Sequence, residues 1–106
     1  MARASSQRAA QQLRFAEDRA LAEVRDARSA LVIARERAEV LAREVVVART
    51  LAAAEMQRFL LGEGTLLIVN LREQTAAEAA LRVVDALAEH HRAVASWRVA
   101  TGARPE

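Results

Sequence analysis

The sequence predicts an all-α fold, a single long antiparallel helical hairpin of coiled-coil type spanning 1–106. Three observations predict it. Its 106 residues include only three glycines and one proline, too few for the many turns of a β-sandwich or barrel. The only internal cluster of helix breakers is Gly62-Glu63-Gly64-Thr65. On either side of it, apolar residues recur every seven positions, the signature of a coiled-coil seam.

The first helix is expected over about 5–61. Ser5 or Ser6 is placed to cap it, and strong helix formers follow without a break. At 1.5 Å per residue it is roughly 85 Å long. One heptad series runs Leu13, Ala20, Ala27, Ala34, Leu41, Ala48. The second runs Glu17, Val24, Leu31, Ala38, Val45, Ala52, Phe59, with Glu17 its one polar member. Residues 62–65 form the turn.

The second helix is expected over about 66–101, with Thr65 as N-cap, Gly102 at the position after the C-cap and Pro105 as a stop. It is roughly 54 Å long. Val69, Ala76, Val83, His90 and Trp97 make one seam series, and Glu73, Ala80, Leu87, Val94 and Thr101 the other. A further stripe, Ala77, Leu81, Val84, Ala88 and Ala95, widens the apolar arc beyond what one partner helix needs. Pairing outward from the turn sets Phe59 near Ile68, Met56 near Leu71, Ala48 near Ala79 and Leu41 near Ala86. The second helix then ends opposite about Val24. The first overhangs from Ser5 to about Glu23, carrying Leu13, Phe15, Ala20 and Leu21 without cover.

Composition fits helices packed at short range. Apolar residues make up 53% of the chain, but alanine leads them and aromatics are 3%. Alanine buries little surface, so a thick globular core is not expected. Sixteen basic residues, all arginine, face fourteen acidic ones, a net charge of +2. The absence of cysteine excludes a disulfide scaffold and a cysteine-based zinc site. No apolar run is long enough to span a bilayer as a helix. The segment Met1 to Arg8 is followed by no apolar stretch, so no secretory signal is expected here.

No catalytic constellation, cofactor site or metal site is predicted. His90 and His91 are adjacent, so on a helix they point about 100° apart and do not chelate one ion together. Gly62-x-Gly64 lacks the lysine and third glycine of a phosphate loop and follows a helix rather than a strand. Trp97 reads as inter-helix packing. Arg14, Arg19, Arg25, Arg28, Arg35, Arg37, Arg43 and Arg49 alternate with acidic residues, and Glu39–Arg43 has ion-pair spacing, so the reading is a solvated face and not a nucleic-acid surface.

The most informative segment is the turn and its flanks, Phe59 to Gln74. A hairpin tip in free solvent is polar; this one is lined by leucines on both sides, which points either to burial against a partner or copies of itself or to apolar residues that only close the hairpin locally. Phe59, Gly62, Thr65, Leu66-Leu67 and Val69-Asn70-Leu71-Arg72-Glu73-Gln74 resemble, in order and spacing, the last helical hairpin of the TolC family of outer membrane efflux proteins. The similarity continues upstream through the heptad helix Glu17 to Arg58. Downstream it continues through Ala76 to Leu81, His90-His91-Arg92-Ala93 and Ala100-Thr101-Gly102.

The resemblance implies a non-enzymatic component of a trimeric efflux conduit. Such hairpins build the wall of a periplasmic α-helical barrel, continuous with an outer membrane β-barrel. A periplasmic adaptor protein docks at the hairpin tips and joins the conduit to an inner membrane pump. By this resemblance the docking positions are Phe59, Gly62, Glu63, Gly64 and Thr65, and Leu66, Leu67, Val69, Asn70 and Arg72 pack the tip. Some members narrow the tunnel mouth with aspartates just after the tip; the matching positions, about Ile68 and Leu71, are apolar, so no acidic ring is expected. Complete members are several times longer, and the chain is expected to correspond to the C-terminal hairpin alone. Two other readings stand beside this one: a free-standing coiled-coil stalk or scaffold, and the hairpin of a periplasmic adaptor protein.

Overall fold

Alanine, arginine, glutamate and leucine, all strong helix formers, dominate both sides of the turn, and two helices result. A computed structural model describes residues 2–102. Helix α1 spans Ala2–Leu60 and helix α2 spans Leu66–Ala100. They fold back on each other as an antiparallel hairpin measuring 90 × 27 × 14 Å. The described residues contain no strand.

The expected boundaries need small corrections. Helix α1 begins at Ala2, so neither Ser5 nor Ser6 caps it. Ala2, Arg3 and Ala4 favour helix, and extending an existing helix adds a hydrogen bond per residue without a new nucleation cost. Helix α1 ends at Leu60 and α2 at Ala100, each one residue short of expectation. Pro105 lies outside the described residues.

Local chemistry explains the turn. Gly62 adopts φ 80°, the left-handed conformation that ends many helices. Its N–H donates to the Phe59 carbonyl (3.0 Å) and the Glu63 N–H to the Arg58 carbonyl (2.8 Å). These bonds satisfy carbonyls that the end of α1 would otherwise orphan. Thr65 then caps α2, as expected: its hydroxyl accepts from the Ile68 N–H at 3.3 Å. Gly102, at φ 76°, repeats the left-handed ending after α2.

The seam of α1 follows the expected series. Ala34, Ala38, Val45 and Ala48 are buried, with Val24, Ala27, Leu31, Leu41, Ala52 and Phe59 half-buried between and beyond them. In α2 the Val69 series also faces inward: Val69 and Ala76 are buried, and Val83, His90 and Trp97 half-buried. The second α2 series is different from the one expected. Ala79, Ala86, Ala93 and Ala100 line the seam, whereas Glu73, Leu87 and Thr101 are exposed and Ala80 and Val94 lie at its margin. The reason is size. Alanine rows on both helices let the backbones approach closely, which turning Leu87 inward prevents.

Register agrees with pairing outward from the turn. Val45, Ala48, Ala76 and Ala79 form one buried cluster, with Ala52 and Val83 packed on it. Two ion pairs cross between the helices, Arg37–Glu89 and Glu44–Arg82. They match the expected pairing to within one residue. At the open end, Ala95, Val99 and Ala100 border one shallow groove with Glu23 and Ala27. Helix α1 continues alone beyond that point, and every residue from Ala2 to Glu23 is exposed.

Candidate functional site

The tip combines a rigid turn with an apolar rim. Leu60, Leu61, Leu66 and Leu67 surround the turn and are all exposed, Leu61 at 73%. The resemblance-derived positions divide between surface and seam. Gly62, Glu63, Thr65, Leu66, Leu67, Asn70 and Arg72 are exposed. Phe59 and Gly64 are half-buried, and Val69 is fully buried between the helices, so Val69 supports the tip from within. Ile68 and Leu71, the positions without an acidic ring, are exposed apolar residues at the same end.

Beneath the turn lies a residue that sequence reading did not single out. Glu55 occupies the seam position seven residues after Ala48 and is 9% exposed, the one buried charged residue among those described. Its Oε2 lies 3.6 Å from a guanidinium nitrogen of Arg58. The other guanidinium nitrogen of Arg58 donates to the Glu63 carbonyl at 3.5 Å. Gly64 passes directly over Glu55: a Cβ added there would sit 3.1 Å from Glu55 Oε1 and 3.5 Å from the Phe59 nitrogen. Counting the heptad one step past Ala48 finds Glu55, but the Gly64 contact depends on the path of the turn.

Away from the tip, the distribution of residue size is inverted. Apart from Val45 and Val69, the buried apolar residues are all alanines. Most of the large aliphatic residues are exposed on both helices. On α1, Ile33, Val40, Val47 and Ala54, continued by Leu61 in the turn, recur every seven residues and are all exposed. On α2, Ala77, Leu81, Val84, Ala88 and Ala95 are likewise exposed, Leu81 at 67%, as the widened apolar arc predicts. The α1 row runs from the tip to Ile33, and the α2 row overlaps it from Ala77, level with about Thr50, to Ala95, level with about Ile33.

Surface charge is locally paired. Arg19–Glu23 and Arg35–Glu39 are ion pairs within α1. Glu39 therefore pairs with Arg35 and not with the expected Arg43. The His90 and His91 rings lie 6.1 Å apart and tilted by 58°. Among the described residues, no three His, Cys, Asp or Glu side chains converge on one point. No described helix is long and apolar enough to cross a membrane. Comparison with protein-family models, with curated proteins and with solved structures finds no match to this chain.

Proposed function

We propose that this hairpin is a wall element of a TolC-like efflux conduit, packing edge to edge with further hairpins and presenting its tip to an adaptor protein. The observation that carries the reading is the pair of outward apolar rows on opposite edges at the same height. A closed wall requires two different edges on each unit, one to give and one to receive. Continuing the hairpin's own antiparallel register to a neighbour sets Val47 against Leu81, Val40 against Ala88, Ile33 against Ala95 and Leu61 against Leu67. Two of these pairs set a large residue against a small one, Val40 with Ala88 and Ile33 with Ala95, and two set large apolar residues together, Val47 with Leu81 and Leu61 with Leu67. A stalk that merely dimerises needs one such edge.

The leucine-rimmed tip supports the docking half of the proposal. Four exposed leucines around a fixed turn offer a small apolar anchor of the kind that dominates protein interfaces. By the resemblance, the partner is a periplasmic adaptor, the assembly is trimeric, the setting is the outer membrane and periplasm, and the hairpin catalyses nothing.

Edge pairing is tested with the variant Val47→Cys/Leu81→Cys. Oxidation is expected to give a ladder of disulfide-linked multimers. Val47→Asp/Leu81→Asp is expected to stay helical by circular dichroism but to sediment as a monomer. A chain that is monomeric at all concentrations, with no crosslinked ladder, contradicts the wall reading. For docking, Leu66→Arg, on the tip rim and outside both edge rows, is expected to abolish co-purification with an adaptor hairpin without changing multimer size.

A further inference from the structure

We propose that Glu55 is a positioning residue that sets the tip turn, acting as a wedge on which Gly64 is seated and which Arg58 holds in place. Three contacts converge on this arrangement. The Glu55 carboxylate is buried under the turn, Arg58 joins it to the Glu63 carbonyl, and the Gly64 Cα lies so close that a methyl group there crowds Glu55 Oε1 at 3.1 Å. Gly64 does not have a positive φ, so backbone conformation does not require glycine there. The space is limited by a side chain from the preceding helix. A carboxylate in an alanine seam carries a desolvation cost that a purely structural seam avoids with another alanine. Here that cost comes with a defined turn. With the docking reading above, the consequence is a tip already in its bound shape, which spares the partner the entropy of ordering it.

The test is a double-mutant cycle on the full chain: wild type, Glu55→Ala, Gly64→Ala and the double variant, each unfolded in urea. Gly64→Ala is expected to lower the folding constant about tenfold in the wild type, as overpacking does. In the Glu55→Ala background the same change is expected to cost no more than about twofold, because contacting residues couple. Glu55→Gln, which keeps the shape, is expected to preserve the full penalty. Amide exchange at Glu63 is expected to quicken in Glu55→Ala while exchange at Ala48 keeps pace with global stability. Where Glu55→Ala does not fold, Glu55→Asp, one methylene shorter, is judged by the same criterion. Equal Gly64→Ala penalties in both backgrounds overturn the proposal. The cycle uses the chain alone, so a failure to dock an adaptor leaves its outcome unchanged.

Discussion

Gly62 and Gly64 stand two residues apart for different physical reasons. Gly62 is glycine because its backbone is left-handed; a methyl group on its Cα would meet nothing within 4 Å. At Gly64 an added methyl group would sit 3.1 Å from Glu55 Oε1, close enough that the carboxylate must give way by a few tenths of an ångström. Gly62→Ala is therefore expected to cost about 1 kcal/mol from backbone strain alone, and to do so equally with or without Glu55. Urea unfolding of the two single variants and the Glu55→Ala combinations separates the two cases. The Gly62 and Thr65 roles are legible in the sequence because turn and cap chemistry is local. Glu55 is not, because hydrophobic patterning reads a carboxylate as the end of a seam. The ion pairs Arg37–Glu89 and Glu44–Arg82 join residues distant in sequence, and identifying them requires the register to be correct within one residue.

The two helices are built from opposite choices on opposite sides: smallness within, bulk without. Hydrophobicity scales favour leucine in a seam, which is why periodicity places Leu87 inside and leaves Ala79 and Ala86 out. Close helix approach favours alanine, and Ala79, only 2% exposed, shows the result. Enlarging that seam is therefore expected to be costly. Ala79→Leu should destabilise the hairpin by about 1–3 kcal/mol, whereas Leu81→Ala on the outer edge should change the isolated chain by less than about 0.5 kcal/mol. Urea midpoints measured at low protein concentration check both. If Ala79→Leu were stabilising, the helices would not be closely packed at that level.

The whole hairpin gains little from its own core. An alanine seam buries little surface per residue, and Ala2 to Glu23 are all exposed. The chain alone is expected to be helical but marginal, melting broadly at a midpoint that rises with protein concentration as edges find partners. Circular dichroism melts over a hundredfold concentration range check this; a sharp, concentration-independent transition at high temperature contradicts it. Amide exchange should be fast along Ala2 to Glu23 and slowest from Ala34 to Ala48. The hairpin, its turn and its overhang are legible in the sequence because they rest on breaker placement and periodicity.

Both inter-helix ion pairs lie on one broad surface, since Arg37 and Glu44 are seven residues apart, as are Arg82 and Glu89. The opposite surface carries the shallow groove between Arg35, Ala42, Leu87 and His90. The hairpin is thus a board with a distinguishable front and back. In the proposed wall, turning one board back to front about its long axis would exchange its α1 and α2 edges and set its paired charges beside a neighbour's groove. Every unit is therefore expected to face the same way, giving the proposed row one lining and one outer skin.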